Sequence, residues 1–179
     1  EHLLANAAAA AAAAWLRGAP AEAIGRGLIG FRGVKDRNER VGKVAGVEYV
    51  NDTAATTPIA TIAALRAYAG RTVHLIAGGS DKRVELAPLA DAAADHAGSI
   101  YLLNGTATPR LVELLGSRGA AYSGPFDSME AAVIAAAAAA RPGEVVLLSP
   151  GCASFGLFRD EFDRGEQFRQ AVRMLEAGQ

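Results

Sequence analysis

The sequence has 179 residues, 51% of them hydrophobic and 21% charged, with a formal net charge of −1 at pH 7. That length and balance describe a folded domain with a full core and room for part of a second, and give no basis for a nucleic-acid or anionic-membrane partner. The single cysteine, Cys152, excludes an intramolecular disulfide and a cysteine-based zinc site, and His2, His74 and His96 share no metal-ligand spacing, so no metal site is expected.

The chain starts at Glu1 rather than at a methionine, which suggests a piece of a longer protein. His2 to about Arg17 predicts a helix, since alanine is the best helix former. The run Ala7 to Ala14 is too short and too weakly apolar for a membrane span. Gly18-Ala-Pro20 breaks the helix and Pro20 opens a second one, to about Gly30. Phe31 to Asp36 is expected to be a linker.

Beyond it, Arg40–Ala45 and Val47–Val50 alternate on either side of Gly46, as a hairpin or two successive strands. Ile59–Tyr68 is amphipathic. A theme of short apolar run, polar tip and helix then recurs. Val73–Ala77 precedes a helix over about Leu86–His96, and Ile100–Leu103 one over about Pro109–Gly116. A weak strand near Ala120–Ser123 precedes a helix over Ser128–Ala140, and Val145–Leu148 leads to a terminal helix near Asp163–Ala177. Buried apolar strands alternating with helices imply parallel pairing with right-handed crossovers. The expected fold is α/β: a doubly wound, mostly parallel, Rossmann-like sheet behind a short helical segment.

In such a sheet the loops after the strands share one edge, where ligands bind. Three loops are polar in complementary ways. One offers Asp52, Thr53 and Thr56, with Thr56 or Thr57 able to cap the helix at Pro58. The second offers Gly78-Gly79 and Lys82, and the third Ser149, Ser154 and the amides around Gly151. Together they could hold a small anion. Each also has a plainer role: Asp52 and Thr53 as turn and cap, Lys82 as a solvated lysine, Ser154 as a cap, Cys152 as a small buried residue. Read for motifs, the chain is expected to hold no Gly-x-Gly-x-x-Gly fingerprint, no P-loop and no Gly-x-Ser-x-Gly elbow.

Five segments carry a family resemblance. They are His2-x-x-x-Asn6, Asp36-Arg37-Asn38-Glu39, Gly46 to Thr57 with its Asn51-Asp52-Thr53, the Gly78-Gly79-Ser80-Asp81-Lys82 loop, and Leu148-Ser149-Pro150-Gly151-Cys152-Ala153-Ser154-Phe155 followed by Phe158 and Arg164-Gly165-Glu166-Gln167-Phe168. In this order and spacing the chain resembles the C-terminal part of the Mur ligases, within them the branch that adds glutamate to UDP-N-acetylmuramoyl-L-alanine. Leu3, Asp36, Ala54 and Glu161-Phe162 depart from the family pattern. The resemblance implies an ATP- and magnesium-dependent ligase of peptidoglycan synthesis, working through an acyl-phosphate. It would be a cytoplasmic monomer, with glutamate and UDP-N-acetylmuramoyl-L-alanine as substrates and neither nucleic acid nor membrane as a partner. Residues 1–30 would be the tail of the central ATP-binding domain, 31–36 a hinge, and 37–179 the acceptor-binding domain. Asn6, Arg37 and Asp52 would hold ATP; Thr56, Lys82, Ser154 and Phe155 would hold glutamate. The family's P-loop and metal ligands lie upstream, so this segment alone is expected to be inactive. A non-catalytic module binding a small anion, amino acid or nucleotide is the alternative; an oxidoreductase is disfavoured for want of the glycine fingerprint.

Overall fold

The computed structural model describes residues 2–31 and 33–178. It divides into two compact units, Glu1–Gly33 and Val34–Gln179.

The first unit is a helical pair, α1 (His2–Leu16) and α2 (Ala21–Gly30). The chain leaves α1 at Gly18, whose φ of +85° only glycine adopts without strain, while the Ala19 amide bonds the Ala14 carbonyl at 3.0 Å. Pro20 then opens α2, as expected. The sequence does contain the spacing of a dinucleotide fingerprint, at Gly25-Arg-Gly-Leu-Ile-Gly30, but the string lies inside α2. A fingerprint works only where a strand turns into a helix, so this one carries no binding meaning.

In the second unit β1 (Glu39–Val44) and β2 (Val47–Asn51) form an antiparallel hairpin across Ala45-Gly46, both at positive φ. There follow α3 (Pro58–Ala67), β3 (Val73–Gly78), α4 (Ala87–His96), β4 (Ser99–Leu103), α5 (Thr108–Ser117), β5 (Tyr122–Phe126), α6 (Met129–Ala139), β6 (Val145–Leu148) and α7 (Glu161–Ala177). The strands join in one sheet in the order β1-β2-β6-β3-β4-β5, parallel from β2 to β5. The mixed, mostly parallel sheet is the expected one.

Period-two alternation sorts the strand side chains between two cores. Val73, Leu75, Ile100, Leu102, Val145 and Leu147 face one side, where Leu65, Leu89, Leu111 and Leu115 from α3, α4 and α5 meet them. Ile76, Tyr101, Leu103, Val146 and Leu148 face the other, against Val133 of α6 and Phe168 and Val172 of α7. β5 begins later than expected. The Ala120 amide still bonds the Leu115 carbonyl at 3.0 Å and so closes α5, and β5 itself is an exposed edge strand with little apolar signal.

Candidate functional site

The sheet order makes neighbours of loops far apart in sequence. β2, β6 and β3 lie side by side, so the segments after Asn51, Leu148 and Gly78 open at the same edge. Backbone bonds then lock them. The Gly151 amide donates to Ala55 O at 2.8 Å, the Gly78 amide to Pro150 O at 2.9 Å, and Ser80 and Ala153 exchange bonds of 2.8 and 3.1 Å. The fit requires glycine: a Cβ on Gly79, at φ +134°, would lie 2.4 Å from Ala153 O. Glycines at this edge thus serve close backbone approach rather than flexibility.

Asp52 sits at the end of β2, with its amide bonded to Leu148 O at 2.8 Å. Its Oδ1 accepts from the Asn38 amide at 3.1 Å and its Oδ2 from the Ser149 hydroxyl at 2.8 Å. The carboxylate therefore joins β2, β6 and the turn carrying Arg37, and each oxygen can accept more than one bond. Arg37 is exposed, its amide bonded to Val34 O at 3.1 Å. Asn6 is exposed on α1, in the first unit.

Lys82 and Thr56 meet. The Lys82 ammonium donates to Thr56 Oγ1 at 2.9 Å, joining the loops after β3 and β2. Thr56 is therefore not the helix cap: Thr57 holds that position of α3 without a side-chain bond, and Pro58, which has no amide hydrogen, follows it. Beside Lys82, Asp81 accepts from Arg110 at 2.8 Å and from the Arg83 amide at 2.6 Å, and these bonds, the Arg110 one foremost, hold its carboxyl below the usual range.

Ser154 is buried in the third loop, and its carbonyl accepts from the Phe158 amide at 3.1 Å. It does not cap the terminal helix. Asp160 does, accepting from the Asp163 amide at 2.7 Å. Phe155 is 61% exposed, and its carbonyl accepts the Ser80 hydroxyl. Cys152 is the buried small residue expected, its thiol pushed up to about 11 chiefly by desolvation. His74 is buried near the start of β3, away from this edge, paired with Glu144 at 2.8 Å. Among the described residues no group of three or more His, Cys, Asp or Glu side chains could hold a metal ion.

Two arginines of α7 went without a role in the sequence reading. Arg169 bonds Asp36 at 2.8 Å and Glu39 at 2.9 Å, beneath the turn that carries Arg37. Arg164 is 0% exposed and spans the β2 and β6 loops: Nε donates to Thr53 Oγ1 at 2.9 Å, and the two terminal nitrogens donate to Thr53 O at 2.8 Å and Cys152 O at 3.2 Å. Burial lowers its guanidinium to about 10, so it stays charged at neutral pH. The helix reaches these loops because Gly165 follows; a Cβ there would lie 2.4 Å from Asp36 Oδ1 and 2.7 Å from Thr53 Cγ2. The sequence signal for Arg164 was an arginine–glycine pair on a helix with aromatic neighbours, which by pattern alone reads as surface.

A parallel sheet whose adjacent strand ends present a carboxylate, hydroxyls and a lysine defines the class: an α/β domain of the kind whose small-molecule sites lie at the strand edge. The chain belongs to the Mur ligase family, since its residues 36–152 match the domain described as Mur ligase, glutamate ligase domain. It is 51% identical over 173 residues to the UDP-N-acetylmuramoylalanine–D-glutamate ligase of Roseiflexus sp. (strain RS-1), covering 96% of this chain and 37% of that one. It is 41% identical over 152 residues to the enzyme of the same name from Treponema pallidum, covering 85% of this chain and 28% of that one. The chain thus spans about a third of the length of these relatives. In fold it is similar to the UDP-N-acetylmuramate-alanine ligase MurC of Thermotoga maritima, with a TM-score of 0.74 at 16% identity over 99% of this chain and 38% of that one. It is also similar to E. coli FolC in complex with ADP, with a TM-score of 0.64 at 22% identity over 96% and 39% of the two chains. No helix among the described residues is long and apolar enough to cross a membrane.

Proposed function

We propose that this chain is the C-terminal, glutamate-accepting part of an ATP-dependent ligase that adds D-glutamate to UDP-N-acetylmuramoyl-L-alanine in peptidoglycan synthesis, acting as a cytoplasmic monomer. The observation that carries this is the Lys82–Thr56 contact at 2.9 Å, which puts a cation and a hydroxyl from two different loops at one open strand edge. The ammonium pairs with a carboxylate of glutamate, and the Thr56 hydroxyl, relieved of its lysine, donates to the same group. Ser154 follows Ala153, whose backbone exchanges bonds with Ser80 two residues before Lys82, and with the exposed Phe155 it is assigned to the same ligand. The names of the relatives support D- over L-glutamate as the acceptor.

For the nucleotide, the fit lies in Asp52 and Arg37. Asp52 holds the Asn38 amide, so the turn with Arg37 adjoins a carboxylate suited to ribose hydroxyls. Asn6, in the first unit, carries its ATP role by the family resemblance alone. ATP, when bound, would supply the phosphoryl group that activates the acceptor's partner carboxyl, and no residue described in this chain is assigned to its magnesium. The task of this chain is to orient two substrates, and orientation is a large share of what phosphoryl and acyl transfer require.

The test uses the full-length protein with UDP-N-acetylmuramoyl-L-alanine, ATP and radiolabelled glutamate. ATP-dependent transfer of label from D-glutamate to the nucleotide is expected, and much less from L-glutamate. A folded, ADP-binding protein that transfers no label from either enantiomer contradicts the reading.

A further inference from the structure

We propose that Arg164 is a positioning residue for this site, setting the separation between the loop that carries Asp52 and Thr56 and the loop that carries Ser154; the role rests on the ligase reading above.

The guanidinium is wholly buried and bonds three groups: the Thr53 hydroxyl and carbonyl on one loop and the Cys152 carbonyl on the other. An arginine buried for stability alone is normally paired with a carboxylate. Here the hydrogen-bond acceptors are two main-chain carbonyls and a hydroxyl, each within two residues of an assigned ligand contact. Thr53 adjoins Asp52, and Cys152 lies two residues before Ser154. The Thr53 hydroxyl accepts from Arg164 and donates to Glu161 O at 2.9 Å, so its one hydrogen is committed and its rotamer fixed. The Thr53 amide is held in turn by Asn51 Oδ1 at 3.1 Å. A planar fork with three fixed donors holds two loops at one spacing, which a lysine, a single flexible point charge, does not do.

The clamp touches loops of both substrates, so loosening it affects both. A ligand residue weakens one substrate; a clamp weakens two while the remaining chemistry survives. The experiment compares Arg164→Lys, Thr53→Val and Thr53→Ser in the full-length protein by kcat and KM for ATP and glutamate, with thermal melts. Arg164→Lys and Thr53→Val are expected to raise both KM values roughly five- to fiftyfold, with Thr53→Ser close to wild type because it restores the acceptor hydroxyl. Unchanged KM values in a folded Arg164→Lys or Thr53→Val protein overturn the proposal, as does a rise in Thr53→Ser equal to that in Thr53→Val. If Arg164→Lys fails to fold, the Thr53 pair decides alone. Wild-type protein without ligase activity instead overturns the ligase reading itself, and the positioning role with it.

Discussion

Lys82 Nζ and Thr56 Oγ1 stand 2.9 Å apart although 26 positions separate them in the chain. The contact exists because β2 and β3 flank β6, the last strand made, so that three loops from distant parts of the sequence converge. An exposed lysine–hydroxyl bond adds little stability by itself. Its consequence is geometric: the ammonium is held over the strand edge rather than extended into solvent.

Thr56→Val removes the acceptor while keeping the shape. Glutamate KM in the full-length protein should rise roughly tenfold or more, the size of one hydrogen bond to a charged group. The effect should be less than additive with Lys82→Met, since the two groups act as one unit. Strict additivity in a double-mutant cycle would show that they bind independently.

Asp52→Ala should act on the other substrate. Losing a charge-assisted contact costs about 1.5–3 kcal/mol, so the ATP KM should rise roughly tenfold or more, well beyond any change in that for glutamate. The Ser149 hydroxyl and Asn38 amide also lose their acceptor, so the melting temperature should fall. An unaltered ATP KM with weakened glutamate use would exchange the two assignments.

The alternation of apolar runs and helices made the doubly wound fold legible before any coordinates, and the strand-end polar loops could be found by the same pattern. Lys82 and Thr56 were legible as candidates because a cation and a hydroxyl at strand ends stand out. Two things were not. The hairpin register that makes β1 an antiparallel edge depends on positive φ at Ala45 and Gly46, and alanine gives no signal for it. The burial of Arg164 depends on Gly165 letting α7 approach Asp36 and Thr53, a tertiary fact that helical periodicity does not encode. Of the two expected cap positions, Thr57 is the one the helix uses, though without a side-chain bond, and Thr56 is left to meet Lys82.

Gly165→Ala tests that close approach. The added methyl meets an oxygen and a methyl at sub-van der Waals distance, so overpacking should cost about 1–3 kcal/mol. A urea melt of the chain measures it. A midpoint equal to wild type would mean that α7 can shift without cost.

Cys152 offers a test of the buried edge. With its thiol pushed from the ordinary 9.0 up to about 11 by burial, the folded protein at pH 8 should react with iodoacetamide far more slowly than protein in urea. The sign of the linkage follows. The folded pKa lies above the unfolded one, so the thiol's contribution to stability is complete below about 9 and is lost as pH rises towards about 11. Cys152→Ser, whose hydroxyl does not titrate there, should lose less stability across that window. Native labelling as fast as in urea would place the thiol in solvent.

The central claim is that this strand edge receives glutamate, and Lys82→Met in the full-length protein tests it most directly. The change keeps the stem and removes the charge. Steady-state kinetics at varied glutamate and ATP should show glutamate use weakened roughly ten- to a hundredfold, with the ATP KM little changed and the melting temperature near that of wild type. Normal glutamate kinetics in a folded Lys82→Met protein would contradict the claim and leave Lys82 a solvated loop residue.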